Sequence, residues 1–394
     1  MSSLEYGWQA PTLTSLSPSH YSTENSSSSA HWTDFFLAIA CRGYAEFEPR
    51  AGQVKAPRGA KIVPVQAAIE AEPGAFRISD IQHAWIAAWS GIAVCLVMLF
   101  ERQRTLLTLL DAVGEPVGNA DFQGLLFLYT QECEVTPSYD FVPDKCGAFS
   151  FTAVADKQKL IEAGLLAEDD QNWRLTKAGR AEARRKAVEP SRVAEFCQRH
   201  SRVRGKALIV EQYRRHPYYA TRSEGLDKLR LEPEALARIK AAKPKRQPAG
   251  ILTIGYEGRS LEGYLNELLR AAVTLLCDVR RNPFSHKYGF SKSTLGKACV
   301  QVGIRYEHMP ALGIASDKRR ELETQADYDA LFAEFARESL PRQGAALETI
   351  RAWVTGGERV ALTCFERLPQ QCHRYCVAEA LERLGGAKLK PQHL

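Results

Sequence analysis

The sequence lacks the features that would indicate a secreted protein. Its first twenty residues contain no charged start followed by an apolar run, so no secretory signal is apparent. Its 10 cysteines do not have the spacing of a disulfide scaffold, in a chain of 394 residues. Both absences favour reduced thiols, and we expect a cytoplasmic protein.

The first 97 residues have little hydrophobic periodicity. Residues 1–35 are rich in Ser, Thr and Pro, a composition that cannot bury enough apolar surface to become ordered. One stretch of 17 residues without charge, 84–100, has the length of a marginal membrane span or of a buried helix. Nothing downstream is typical of a membrane protein, so we expect no stable membrane association. Because the sequence after Met98 begins like a domain, residues 1–97 are interpreted as a poorly ordered extension or as a start site placed too far upstream.

Residues 98–186 predict a mostly helical, winged-helix-like domain. Apolar positions at helical spacing indicate helices over 101–112 and after Asp121, and a third helix is predicted over 151–163. After this helix, GLL (164–166) and WRLT (173–176) are predicted to be two short strands joined by a polar turn. A further helix is predicted to begin at KAGR (177–180). Winged helices commonly place one helix in the major groove of DNA, although docking to a protein or dimerisation is an alternative use.

The loop PSYDFVPDKCGAFS belongs to this domain. It resembles a loop of helix-turn-helix-like modules in bacterial proteins, from which Asp144 and Cys146 depart. Its aromatic residues are expected in the hydrophobic core rather than stacked on bases; they are Tyr139, Phe141, Phe149 and Phe151.

Residues 187–248 are predicted to be a basic helical connector. From 180 to 246 the chain has 19 Lys and Arg against 8 Asp and Glu, a net charge of +11, so the rest carries −5 of the formal +6. Such a segment favours a polyanionic partner, and the predicted partner is nucleic acid, chiefly DNA. The alternatives are a solvated helical surface rich in arginine and a seam between domains.

Strands alternate with helices from residue 249 to residue 394. Apolar runs predict strands at 251–256, 273–280, 303–310 and 357–366, and Ser260 is the expected N-cap of the first helix between them. This alternation predicts an α/β domain, with a mainly parallel sheet and flanking helices.

Polar residues follow the ends of these four strands. Ligands of parallel sheets bind beyond the carboxyl ends of the strands, so we expect one site there. The candidate catalytic residues are Asp278, Glu366, Cys372 and Glu257. The candidate residues for binding phosphate or nucleic acid are Tyr256, Arg259, Arg280, Arg281, Lys287, Lys292, His308, His373 and Arg374.

Four ordered blocks carry a family resemblance. TIGYEGRSLEGYLNELL, LLCDVRRNPFS with GFSKSTL, GIRYEHMPALG, and ALTCFE with QCHRYCVAEAL resemble the bacterial domain-of-unknown-function family 488 over about residues 251–385. The resemblance implies a site at the strand ends that contains Asp-Val-Arg and Cys-His-Arg motifs, without assigning its chemistry. These motifs correspond here to Asp278, Arg280, Cys372, His373 and Arg374.

Two kinds of cysteine chemistry are open to this site. A thiolate at Cys372 would be stabilised by a helix N-terminus and by His373 and Arg374, which is the setting of a nucleophilic or redox-active cysteine. Zinc is an alternative, because Cys364, Cys372, His373 and Cys376 lie within 13 residues. Their spacing is not that of a usual zinc ribbon or finger, and Cys376 is expected in the core, so no cofactor is predicted.

Phosphate recognition combined with acid–base chemistry is the third alternative. Arginine suits bidentate phosphate binding, and Asp278, Glu366 and Glu257 are candidate general acids or bases. The mixture fits cleavage or transfer at a glycosidic bond, a phosphodiester or a base. A structural ion pair between Asp278 and Arg280 is the competing interpretation.

Taken together, these features predict a DNA-associated bacterial enzyme that acts on nucleic acid or a nucleotide, in a setting such as DNA repair or phage defence. A non-enzymatic DNA-binding regulator that senses a small ligand or redox state is one alternative. A thiol or metal protein is the other.

Overall fold

The computed structural model describes residues 98–114, 116–200, 202–315, 318, 322 and 324–394. The predictions for residues 1–97, including most of the apolar stretch, lie outside the described residues. Within the described ranges, no helix is both long and apolar enough to cross a membrane.

The first part of the described chain is mostly helical. Its helices are α1 (Glu101–Val113), α2 (Asn119–Cys133), α3 (Phe151–Glu162), α4 (Lys177–Arg185), α5 (Pro190–His200), α6 (Gly205–Arg215) and α7 (Pro233–Ala242). Its short strands are β1 (Val117–Gly118), β2 (Val142–Asp144), β3 (Gly147–Phe149) and β4 (Asn172–Trp173). β1 pairs antiparallel with β4, and β2 pairs antiparallel with β3. Helices α1, α2 and α3 are followed by an antiparallel bridge between Leu166 and Leu175 and then by α4, which is the predicted order. The winged-helix assignment itself stays a prediction.

One hydrophobic core joins this helical part from Leu99 to Leu208. Val193 and Phe196 of α5 and Leu208 of α6 are buried in the same core as α1 and α2. The first two connector helices therefore share the core of the region before residue 186. Two of the loop aromatics, Tyr139 and Phe141, are also in this core, whereas Phe149 and Phe151 are half-buried against the core described next.

The second part is an α/β domain with a five-stranded parallel sheet. Its strands are β5 (Gly250–Gly255), β6 (Leu275–Asp278), β7 (Arg305–His308), β8 (Arg359–Cys364) and β9 (Gln392–His393). Their order across the sheet is β7-β6-β8-β5-β9, and all pairs are parallel. The four predicted strands are confirmed. β9 was not predicted, because two exposed residues carry no hydrophobic period.

Helices cover both faces of this sheet, as the fold class predicted. The helices are α8 (Leu261–Arg270), α9 (Lys292–Gln301), α10 (Gln325–Glu334), α11 (Gly344–Thr355) and α12 (Arg374–Gly385). Alternate strand residues divide between two cores, with Ile251 and Leu275 facing α10 to α12 and Leu252 and Leu276 facing α8 and α9. Helix α10 continues at Phe335 into a π-helical turn that ends at Ser339.

The helical part packs against α8 of the α/β domain. Glu262, in the first turn of α8, is fully buried and accepts hydrogen bonds from the amide of Thr152 at 2.7 Å and the hydroxyl of Ser150 at 3.1 Å. Asn266 donates to the carbonyl of Phe141 at 2.7 Å. The N-terminal end of α3 is therefore covered, although recognition helices present that end to base edges. This contact does not favour base reading by α3.

Candidate functional site

The carboxyl ends of β5 to β8 meet at one edge of the sheet, as predicted. Tyr256 and Glu257 directly follow β5, while Asp278, His308 and Cys364 are the last residues of β6, β7 and β8. The order of the strands places β8 between β5 and β6, so the loop after β8 lies at the centre of the edge.

Asp278 and Arg280 form a buried ion pair at this edge. Nε and Nη2 of Arg280 donate to Oδ1 and Oδ2 of Asp278 at 2.8 and 2.5 Å, and the hydroxyl of Tyr306 donates to Oδ2 at 2.7 Å. Nη1 of Arg280 donates to the hydroxyl of Tyr256 and the carbonyl of Phe290. Burial acts to lower the pKa of Arg280, but hydrogen bonding and attraction from Asp278 outweigh it and raise that pKa. Asp278 is 0% exposed, so this arrangement favours an anchoring role over a catalytic one.

Arg374 is also buried, and it fixes the loop after β8. Its Nη1 and Nη2 donate to the main-chain carbonyls of Glu366 at 2.5 Å and Arg367 at 2.9 Å. The neighbouring strand approaches this loop closely, because a Cβ on Gly255 would lie 1.9 Å from the carbonyl oxygen of Glu366. Only glycine allows that approach. Arg374, predicted to bind phosphate, therefore holds main-chain carbonyls in this structure.

The loop returns the chain so that Cys372 and His373 reach the end of β8. Nδ1 of His373 lies 3.7 Å from Sγ of Cys364 and 3.9 Å from Sγ of Cys372. The three potential ligand atoms lie within 4.8 Å of one another. Nε2 of His373 lies 3.0 Å from the carbonyl oxygen of Val279. All three side chains are buried, at 0 to 1% exposure.

Cys372 does not have the predicted setting of a helix-stabilised thiolate. The last helix begins at Arg374 rather than at Cys372, and Cys372 has extended backbone angles of φ −143° and ψ 135°. Burial, followed by hydrogen bonding to Cys364, raises the pKa of Cys372 well above its ordinary value. The nucleophile hypothesis is therefore not favoured. Cys376 belongs to the core, as expected, where its Sγ lies 3.8 Å from the carbonyl of Phe332.

Three of the predicted cationic residues are engaged by neighbouring protein groups. Arg259 forms an ion pair with Glu267. Nε2 of His308 lies 2.9 Å from the carbonyl oxygen of Arg280, to which it donates. Nζ of Lys287 donates to the main-chain carbonyl of Tyr256 at 3.1 Å. These contacts position the loops around the edge.

Other groups at the edge face solvent, including several that the sequence did not single out. Arg281 and Lys292 are exposed, as is Arg367. Phe284 is 63% exposed on the loop after β6, and Phe365 is 43% exposed on the loop after β8. Sequence patterns mark the ends of strands, but they do not show which loop side chains remain uncovered by packing. Phe284, Phe365 and Arg367 were missed for that reason.

Glu257 and Glu366 are the predicted acids that stay near the surface. Glu257 is exposed, and its Oε2 accepts a hydrogen bond from the amide of Arg367 at 2.9 Å. Glu366 is half-buried beside Cys372, and its Oε2 is covered. Glu257 is therefore the most accessible of the three predicted acids.

Two clefts lie at opposite edges of the sheet. One, of about 190 Å³, is lined by groups that include Arg281 and Phe335, beside the carboxyl edge. The other, of about 210 Å³, is lined by groups that include Arg222, Lys243 and Gly303. Because Gly303 precedes β7, the second cleft borders the amino edge. The basic connector thus adjoins the edge opposite the predicted site.

The comparisons with known proteins concern the α/β domain. Residues 260–381 match the family model described as Domain of unknown function DUF488. No curated protein matches the chain, and no solved structure does. The matched residues extend from the N-cap of α8 into α12, and they include Asp278, Arg280, Cys372, His373 and Arg374. The segment 260–381 therefore matches the family model that its sequence motifs predicted.

Proposed function

We propose that the α/β domain binds single-stranded nucleic acid, with DNA as the expected form, and acts on a nucleotide at the carboxyl edge of its sheet. The observation that carries this proposal is the exposure of Phe284 and Phe365 on loops that follow the adjacent strands β6 and β8. Bases stack on exposed aromatic rings, and each stacked base contributes about 1–3 kcal/mol.

Cations beside these rings supply the second requirement, which is attraction for phosphates. Arg281 adjoins the loop that carries Phe284, Lys292 begins α9 at the end of the same loop, and Arg367 follows Phe365. Alternation of cations with aromatic rings is the usual composition of a channel for single-stranded nucleic acid. A purely apolar docking surface for another protein would not need these cations.

Glu257 and Glu366 are the proposed acid–base groups. Both lie on loops of the same edge. Glu257 is exposed and Glu366 is half-buried with its Oε2 covered, whereas Asp278 is enclosed by its hydrogen bonds. A carboxylate near a phosphate or sugar can transfer a proton or stabilise positive charge on the sugar. These residues favour an enzyme over a passive binding module.

The basic connector contributes attraction at longer range. A run of exposed cations lies before β5, at Arg238, Lys240, Lys243, Lys245 and Arg246. A six-residue strand such as β5 spans about 20 Å, which is roughly the separation of the two edges. The run therefore raises the local concentration of a polyanion without contacting the same nucleotide.

Fluorescence anisotropy with the full chain and a labelled single-stranded DNA oligonucleotide tests binding across a salt series. Phe284→Ala and Phe365→Ala should each weaken binding about 5- to 150-fold, the equivalent of one stacked base. Val300→Ala is the matched control, because Val300 is 69% exposed near the opposite end of α9. Absence of binding at low salt, or binding with no dependence on salt, would reject the proposal.

Turnover is tested with the same oligonucleotide carrying an end label. Denaturing gels before and after alkali distinguish cleavage of the strand from release of a base. Loss of product in Glu257→Gln or Glu366→Gln, with binding retained, supports the enzyme. Binding without any product supports instead the non-enzymatic regulator.

A further inference from the structure

We propose that Cys364, Cys372 and His373 bind one zinc ion. The inference is independent of nucleic-acid binding, because it depends on a cluster that lies beneath the exposed edge. Its three ligand atoms come from the end of β8 and from the two residues before α12.

The distances match those between ligands of one tetrahedral ion. Zinc lies about 2.3 Å from a thiolate sulfur and about 2.1 Å from an imidazole nitrogen, so a tetrahedral angle separates the two ligands by about 3.6 Å. Nδ1 of His373 lies 3.7 Å from Sγ of Cys364 and 3.9 Å from Sγ of Cys372. The two sulfurs lie within 4.8 Å of each other, and two thiolates of one tetrahedral zinc would be about 3.8 Å apart.

The orientation of His373 is that of a metal ligand. A carbonyl oxygen can only accept a hydrogen bond, so Nε2 carries the proton that is donated to Val279. Nδ1, the other ring nitrogen, faces the two sulfurs. A histidine ligand is typically fixed in this way, with its second nitrogen donating to a carbonyl or carboxylate.

The surroundings hold the ligands in place before a metal arrives. Arg374 fixes the loop between the cysteines through two carbonyls, and Gly255 lets the adjacent strand pack against it. The side chains are almost fully buried. Two thiolates in such surroundings need a cation beside them, and zinc accepts two sulfurs and one nitrogen readily. A set of three residues leaves the fourth tetrahedral position to water.

The position of the helix boundary allows Cys372 and His373 to act together. A helix beginning at Cys372 would turn His373 about 100° away from it. In the structure Cys372 is extended and α12 begins after His373, so that rotation does not apply. Cys376, the fourth residue of the original sequence pattern, points to the carbonyl of Phe332 and takes no part.

Elemental analysis of the full chain tests the proposal directly. The protein is purified under reducing conditions without chelator, from cells supplied with zinc, and about one zinc per chain is expected. Cys372→Ser should reduce the zinc content at least tenfold. Cys376→Ser is the matched control and should retain it, because it changes another buried cysteine, which lies in α12 and outside the cluster.

Two measurements on the unchanged protein keep the proposal falsifiable if Cys372→Ser does not fold. Titration with cobalt(II) should produce the charge-transfer absorption of thiolate-bound cobalt, and zinc should displace it. Thiol counting in denaturant without reductant should find all 10 cysteines of the chain reduced. Substoichiometric zinc together with no cobalt absorption overturns the proposal, as does the loss of two thiols to a disulfide. Stoichiometric iron or copper in place of zinc would overturn the choice of metal.

Discussion

Removing the charge of Asp278 should destabilise the protein strongly, because Arg280 would be left as a buried and uncompensated cation. Asp278→Asn keeps the size of the side chain but replaces one accepting oxygen by a donating amide. That amide would face either a donor of Arg280 or the hydroxyl of Tyr306. The other two partners of Arg280, Tyr256 and Phe290, offer only neutral oxygens.

The size of the effect follows from this burial. The side chain of Arg280 is 5% exposed and that of Asp278 is 0% exposed, so water cannot replace the lost charge. Breaking one partner of such a pair costs about 3–5 kcal/mol. The melting temperature should fall by on the order of 10 °C.

Urea denaturation followed by circular dichroism measures the change. Glu348→Gln is the matched control, since it breaks an exposed contact with Arg351 and should leave the midpoint unchanged. The double change Asp278→Asn with Arg280→Met removes both charges and should recover most of the lost stability. A midpoint unaffected by Asp278→Asn alone, or no recovery in the double variant, would refute this account of the pair.

Three further perturbations probe the interface and the site. Burial, opposed by hydrogen bonds from neighbouring groups, raises the pKa of Glu262 above the ordinary value of a glutamate. The wild type should therefore lose stability relative to Glu262→Gln as pH rises from about 4 to about 7, which denaturation curves at both values would show. Gly255→Ala forces a Cβ against the carbonyl of Glu366, so we expect a loss of about 1–3 kcal/mol together with reduced zinc content, measured by thermal melting and elemental analysis. Ser260→Ala removes the hydroxyl that accepts from the amide of Gly263 at 3.0 Å and donates to Asp140, and it should cost about 1 kcal/mol. Ser260→Thr keeps a hydroxyl for both contacts and should retain most of the cap; equal losses in both would contradict the capping role.

The α/β domain was largely predictable because its signals are local. Continuous apolar runs such as 275–277 mark strands covered on both faces, and Ser260 caps α8 as its position predicted. The rule that parallel strands present their carboxyl ends at one edge then placed Tyr256, Asp278 and Cys364 together. None of these steps needed long-range contacts.

Burial within the site could not be predicted in the same way. Asp278 and Arg280 are hydrophilic in sequence, and only the packing of Tyr256, Tyr306 and Phe290 around them encloses the pair. The exposure of Phe284 could not be predicted either, because an apolar residue is ordinarily expected to be buried. Whether a loop side chain is covered depends on elements far away in the chain.

The sequence by itself determined the order of strands and helices in the α/β domain, the family model that residues 260–381 match, and the edge on which its polar residues gather. Only the tertiary structure decided which of those residues are enclosed, and that Cys364, Cys372 and His373 converge while the basic connector borders the opposite edge. The physical reason is that periodicity and capping act over a few residues, whereas burial and ligand geometry arise from contacts between segments distant in sequence.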